Sequence, residues 1–316
     1  MLGICTVHLP TGTHGDLLIE RCLDRIARHT VGPHRVYVVA LRCTPEQRTR
    51  LTERGAVLVE PTGAARGPFD GPNREHAALL TLLVDRAVAD GCTHVVTLDP
   101  DAWPLLDGWN VEYAARLDEA TPVAAVLRLE VGSNFPHPCF TMLRADFWRP
   151  GTSTFSPWDP TVATPRLQPG AGLLDQLHAE GRGLLRLERS NALDRHRLLF
   201  ALYDDAVFHL GAGSRFVRVD GYRRPPSHPL LDRIPGLAAR LRRRWRSQQD
   251  RREARLHRRV LAELARDEEG LVARLAGGRL TPFEPLATDV PDLPPRTPRE
   301  QRRPLVRLAT GAVPSD

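Results

Sequence analysis

Residues 93–104 read THVVTLDPDAWP: an apolar run (Val95, Val96, Leu98) that ends in two carboxylates one residue apart, Asp99 and Asp101, followed by Trp103 and Pro104. A buried strand hands over to a turn, and Asp and Pro are ordinary turn residues. One reading is therefore a strand that simply stops. The other is that Asp99 and Asp101 stand at the carboxyl end of a sheet strand to hold a divalent cation. What lies on either side of the stretch bears on the choice.

Upstream, strand-like and helix-like pieces alternate. GICTVHLP (3–10) is a short apolar run, and DLLIERCLDRIARHT (16–30) brings Leu17, Ile19, Leu23 and Ile26 near one helical face. RVYVVALR (35–42) is β-branched and continuous, as a strand covered on both faces should be. TPEQRTRLTERG carries an N-cap signal at Thr44, Pro at the first helical position and a stop at Gly55. AVLVEP is a third strand, NREHAALLTLLVDRAVADG (73–91) a helix closed by Gly, THVVTL the fourth strand and PVAAVLRLE (122–130) a fifth. Strand–helix alternation of this kind predicts an α/β fold with a parallel sheet flanked by helices. In such sheets ligands bind beyond the carboxyl ends of the strands, where the DPD falls.

Downstream the alternation weakens. PCFTMLRADFW (138–148) reads as a strand running into a turn, GLLDQLHAEGRG (172–183) as a short helix and LLRLERS as another strand. DDAVFHLGAGSR (204–215) reads as a strand that ends at His209 before a Gly-rich loop. Residues 232–259 hold eleven Arg against three acidic residues, with Leu237, Leu241 and Trp245 at helical spacing. A second apolar stripe follows in Leu256, Val260, Leu264, Leu271 and Leu275. The expected organisation is a main domain over 1–230, an Arg-rich helical appendage over 231–277 and a loosely ordered Pro-rich tail over 278–316.

Composition excludes several classes. The chain has 316 residues, 41% hydrophobic and 26% charged, which is ordinary for a globular protein with a sizeable core. No apolar run is long enough for a membrane helix. The opening MLGICTVHLP has no positive segment before a long apolar stretch, so no secretory leader is expected. Cys5, Cys22, Cys43, Cys92 and Cys139 are scattered and unpaired in sequence. They read as small core residues in a reducing cytoplasm. All 44 basic residues are Arg, a bias that codon usage produces regardless of function, so the net charge of +6 does not argue for nucleic acid.

A D-x-D recurs by chance and needs context. Here it follows an apolar strand, a helix beginning GPNREH precedes it, and His209 offers an imidazole at another strand end. Two carboxylates and an imidazole form a hard, open site suited to Mg²⁺ or Mn²⁺ on a diphosphate. His209 as a structural histidine, and Asn73 and His76 as an N-cap and a helix-surface residue, are the plain alternatives. Trp103 and Trp109 read as core packing before sugar platforms.

THVVTLDPDAWPLLDGWN resembles the metal-binding strand of glycosyltransferases with the GT-A fold, in the large bacterial family that includes rhamnosyl and galactosyl transferases. GPNREHAALL, LDPDAWP and FHLGAGSR match its blocks in order, and ICTVHLPTGTHGDLLIERCLDRIARHT resembles its first strand and helix. The similarity runs over about residues 3 to 215. It implies a metal-dependent glycosyltransferase with a nucleotide-diphosphate sugar donor, an Mn²⁺ or Mg²⁺ cofactor and an acceptor hydroxyl. Asp99, Asp101 and His209 would hold the cation, with Asp99 toward the sugar and ribose. Thr6, His8 and Pro10 would flank the base, Asn73 and His76 would lie at the donor, and Arg215 would hold a donor phosphate.

Two features depart from the family pattern. Arg42 stands after the second strand where an Asp or Asn is common. Counting back from Gly181, Pro169 and Gly170 occupy the place of the acidic base of inverting members. Asp175 and Asp159 are the substitute candidates. Nucleotidyl transfer and nucleotide-sugar binding without turnover are the competing functions; LPTGTHGD lacks the basic phosphate loop expected of the former. The Arg-rich segment is read three ways: a solvated appendage, a peripheral contact with anionic lipid on the inner face of the membrane, or an oligomer contact.

Overall fold

The computed structural model describes residues 1–10, 15–62, 72–128, 135–156, 169–187, 189–191, 201–211 and 261–275, with isolated helical residues 244, 251, 255, 258 and 259. Asp159, Arg215, the tail 278–316 and most of the Arg-rich segment, Arg242 and Arg243 included, lie outside the described residues.

Among the described residues seven strands form the main sheet: β1 (Leu2–His8), β2 (His34–Ala40), β3 (Ala56–Leu58), β4 (His94–Thr97), β6 (Val123–Leu127), β7 (Pro136–Arg144) and β8 (Leu184–Leu187). Their order is β3-β2-β1-β4-β7-β6-β8. All neighbouring pairs are parallel except the two made by β7, so six strands run one way and β7 alone is reversed. The expected α/β fold, a mostly parallel sheet flanked by helices, is what forms.

The reason lies in strands whose apolar residues run on without alternating with polar ones. Along β2, Val36, Val38 and Ala40 pack into one core while Tyr37 and Val39 pack into the other. β6 divides in the same way, Ala124 and Val126 against Val123, Ala125 and Leu127. Period-2 side chains buried on both faces require helices on both faces. One face takes α1 (Gly15–His29) and α4 (Trp109–Arg116); the other takes α3 (Pro72–Ala89) and α5 (Ala171–Glu180). The α1 stripe runs through Leu18, Ile19, Cys22, Leu23 and Ile26, with Leu17 only half-buried. Helix α2 (Pro45–Glu53) starts as its sequence predicts: Thr44 accepts from Gln47 N–H, and the Gln47 side chain returns to the Thr44 backbone. Cys5, Cys22, Cys92 and Cys139 are buried thiols, and Cys43 is half-exposed.

A second, antiparallel sheet, β5-β10-β9, sits beside the first. Its strands are β5 (Ala102–Pro104), β9 (Ala201–Tyr203) and β10 (Val207–His209). The tight β9–β10 connection has Asp204 and Asp205 at φ 49° and 51°, a left-handed conformation that Asp tolerates better than most residues. At the other end of the chain, Leu261, Leu264, Leu271 and Val272 are buried in the core shared by β1, α1 and β5. The last two belong to α6 (Glu268–Leu275).

Candidate functional site

Strand β4 delivers Leu98 and Asp99 to the carboxyl edge of the parallel strands, where Leu98 N–H still reaches the carbonyl of Cys5 on β1. The chain then turns tightly, closed by a hydrogen bond from Ala102 N–H to the Asp99 carbonyl at 2.9 Å, with Pro100 and Asp101 at the corner. Proline's fixed φ suits that corner and Asp suits the position before it. Strand β5 starts at once and pairs with β10 in the register Ala102↔His209 and Trp103↔Phe208. One further bond, Leu210 N–H to the Asp101 carbonyl at 2.9 Å, continues the ladder past His209. The β5–β10 register therefore sets His209 beside Asp101.

One ligand atom each from Asp99, Asp101 and His209 lies within 4.8 Å of the others. Oxygens and nitrogens about 2 to 2.6 Å from a shared cation are separated by distances of this order. Asp101 and His209 are buried, and Asp99 is partly open to solvent. His209 Nε2 is 3.7 Å from Asp101 Oδ1, too long for a hydrogen bond, and its Nδ1 has no hydrogen-bond partner among the described residues. Burial first, then the positive field of Arg128 and Arg189, holds His209 well below the usual imidazole range. A neutral ring whose Nδ1 has no hydrogen-bond partner among the described residues, beside two carboxylates, is a donor set that fits a divalent cation. The carboxylates' field also reaches Cys22 on α1: burial foremost, then Asp101 and Asp99, pushes its thiol far above the ordinary range.

The surroundings are rich in imidazole. His76, on the first turns of α3, places Nε2 3.5 Å from Asp99 Oδ1. His137 on β7 lies near His209, the rings tilted at 45° with centroids 5.6 Å apart. Its Nδ1 accepts from Cys139 N–H at 3.1 Å, which leaves any proton on Nε2. Burial, then Arg128, His209 and His76, lowers its pKa well below the usual value. On β1, Thr6 and His8 are buried and Pro10 is half-buried just beyond the strand. Thr6 Oγ1 and His8 Nδ1 have no hydrogen-bond partner among the described residues. Burial lowers His8 to a pKa of about 4, partly opposed by the carboxylate of Asp16, 3.9 Å away.

The structure thus brings together Asp99, Asp101, His209 and His76, with Thr6 and His8 on the neighbouring strand β1 and Pro10 just beyond it. Asn73 is exposed at the start of α3, and Asp175 is half-buried on α5 outside the Asp99–Asp101–His209 cluster. Trp103 and Trp109 are fully buried core residues. The place expected to hold an acidic base is closed: Gly170 sits at φ 107°, where a Cβ would lie 1.9 Å from the carbonyl oxygen of Pro136. His137 and Arg128 were not found from the sequence. His137 lies in FPHPCF, where nothing but the topology brings it to His209.

No protein-family profile matches the chain, and no curated protein matches it in sequence. Its structure is similar to those of several nucleotide-sugar transferases. S. aureus TarS 1–349 in complex with UDP-GlcNAc gives a TM-score of 0.31 at 13% identity, covering 46% of this chain and 46% of that one. The mannosyltransferase PcManGT of Pyrobaculum calidifontis, in complex with GDP-Man and Mn²⁺, gives 0.38 at 12% identity over 87% and 78%. Glucosyl-3-phosphoglycerate synthase of Mycobacterium tuberculosis, with Mn²⁺, UDP and glucosyl-3-phosphoglycerate, gives 0.38 at 15% identity over 61% and 74%. The chain thus spans less than half of the TarS fragment. Among the described residues no helix is long and apolar enough to cross a membrane.

Proposed function

We propose that the chain is a glycosyltransferase that moves a sugar from a nucleotide-diphosphate donor to an acceptor hydroxyl, with Mn²⁺ or Mg²⁺ held by Asp99, Asp101 and His209. The carrying observation is the convergence of these three groups within 4.8 Å at the carboxyl edge of a mostly parallel sheet. Bound there, the cation supplies Lewis-acid stabilisation of the departing nucleoside diphosphate. The protein's own part is to prepare the site. Asp101 is buried and presented by a tight turn, which limits reorganisation on binding. Asp99 is assigned the sugar and ribose side, and His76 steadies its carboxylate. Thr6, His8 and Pro10 are assigned to the base, with His8 neutral at physiological pH, and Asn73 is assigned to the donor. Arg215 is assigned a donor phosphate. Asp175 and Asp159 remain the candidate bases.

A panel of nucleotide-sugars, read by thermal shift with Mn²⁺ and again with EDTA, tests the reading. A true donor at a hundredfold excess over its dissociation constant stabilises the fold by about 2.7 kcal/mol. No shift by any donor in Mn²⁺, or a shift that EDTA leaves intact, defeats it. The crowding at Gly170 favours a second reading, a nucleotide-sugar-binding protein without turnover. Metal-dependent binding with no release of nucleoside diphosphate would select it.

A further inference from the structure

Among the described residues the buried acidic side chains are Asp101 and Glu268. The first is in the site; the second lies 167 residues later, at the start of α6. A buried carboxylate is a poor choice for merely docking a helix. Desolvation opposes it unless its lone pairs are filled, and an apolar residue of similar size serves packing as well. The partners of Glu268 are specific. Its Oε1 accepts from the indole Nε1–H of Trp103 at 2.8 Å and faces Arg25 Nε at 2.9 Å. Its Oε2 is bound by the guanidinium of Arg21, also on α1. Trp103 is the central residue of β5, two positions after Asp101. Its ring lies against that of Phe208, its cross-strand partner, with centroids 4.8 Å apart. On this small ladder Ala102 faces His209, and Leu210 N–H binds the Asp101 carbonyl. Three-residue strands have few hydrogen bonds of their own with which to keep register, so an external anchor on the middle residue matters.

We infer that Glu268 is a positioning residue for the cation site. It holds Trp103, and through Trp103 the β5–β10 register that sets Asp101 against His209. The inference rests on the proposed cation site for its functional readout, but its structural content can be measured without a cation. Groups behind a metal ligand set ordinarily change affinity by about 10- to 100-fold when removed, and Glu268 acts one step further back.

The test uses the full chain with Glu268→Ala, Glu268→Gln and Trp103→Phe. Mn²⁺ affinity is measured by calorimetric titration well below each variant's unfolding midpoint. Amide hydrogen exchange is measured in EDTA at Ala102, Phe208, His209 and Leu210, with Val36 to Val39 on β2 as the reference. Glu268→Ala is expected to weaken Mn²⁺ binding by about tenfold. It should also speed exchange on the β5–β10 ladder, but not on β2. Glu268→Gln keeps an oxygen for the indole and should lose less affinity than Glu268→Ala. Trp103→Phe keeps an aromatic ring against Phe208 but loses the indole N–H and part of the ring, and should weaken Mn²⁺ binding as Glu268→Ala does. Unchanged Mn²⁺ affinity with unchanged ladder exchange overturns the inference, even if the midpoint falls, because Glu268 would then only dock the helix. Failure of the unaltered protein to bind Mn²⁺ defeats the cation reading instead, and the exchange arm alone then decides whether Glu268 holds the ladder. If Glu268→Ala does not fold, Glu268→Gln and Trp103→Phe decide: unaltered affinity and exchange in both overturn the inference.

Discussion

Asp101→Asn keeps the shape of the side chain and removes one charge, which makes it the sharpest perturbation of the proposed cation site. In the metal-free protein the Asp99 and Asp101 carboxylates face each other within 4.8 Å. At an effective dielectric near 20, two unit charges at that separation repel by about 3 kcal/mol. Attraction to the nearby arginines offsets part of this, so relief of the repulsion is an upper bound on what the variant gains. The expectation in EDTA is therefore an unfolding midpoint equal to or above that of the unaltered protein. With Mn²⁺ at a hundredfold excess over its dissociation constant, the unaltered protein should gain about 2.7 kcal/mol. For a domain of this size that is about 5 to 10 °C. Asp101→Asn should show little of that gain, since an amide is a weak ligand for a hard cation. Differential scanning fluorimetry with EDTA and Mn²⁺ arms reads both halves. A Mn²⁺ shift of undiminished size in the variant refutes Asp101 as a ligand. A midpoint several degrees lower in EDTA refutes the repulsion argument and makes Asp101 a structural group.

Three further outcomes follow from other parts of the fold. The pKa of His8 is lowered to about 4 in the folded chain against a reference of 6.5, so the unfolded chain takes up the proton first. Its contribution, about 3 kcal/mol, is fully present above pH 6.5 and is lost as pH falls from 6.5 toward 4. In metal-free protein, His8→Gln should flatten the pH dependence of the urea midpoint in that window, and an unaltered slope would count against the burial argument. Gly170→Ala forces a Cβ onto the Pro136 carbonyl, so a loss above about 3 kcal/mol or insoluble protein is expected; a midpoint equal to the unaltered protein's would deny the contact. Thr44→Ala removes one half of the α2 capping box and should cost about 1 kcal/mol in urea denaturation while leaving the Mn²⁺ shift alone.

What was legible in the sequence was whatever the local chain determines. The uninterrupted apolar run of β2 announced a strand covered on both faces, and the Thr44–Pro45–Gln47 pattern announced α2 because capping is local chemistry. Helix α4 was not legible: its N-cap is Gly108, which has no side chain to signal with, and only eight residues follow. Strand β5 was hidden by its length and by Pro104, since three residues ending in proline look like the tail of a turn. Glu268 was the least visible of all. In an Arg- and Glu-rich segment an acidic residue reads as solvated, and only the packing of α6 against α1 and β5 makes it buried.

The two readings of residues 93–104 were set against each other as turn or ligand, and the geometry removes the opposition. The Asp-Pro-Asp sequence makes a good turn, with Asp before the corner and Pro fixing it, and the turn is what brings the two carboxylates to one edge of the sheet. Had the chain continued as a strand, Asp99 and Asp101 would still have shared a face, being two residues apart, but β5 could not have reversed to pair with β10. His209 would then have had no register relative to Asp101. The turn thus does two things: it stops β4 where the parallel strands end, and it starts the small ladder that carries the imidazole in. That accounts for how a histidine more than a hundred residues away comes to lie beside two carboxylates one residue apart in sequence. Trp103, the middle residue of that ladder, is buried among core side chains and takes no direct place beside the carboxylates.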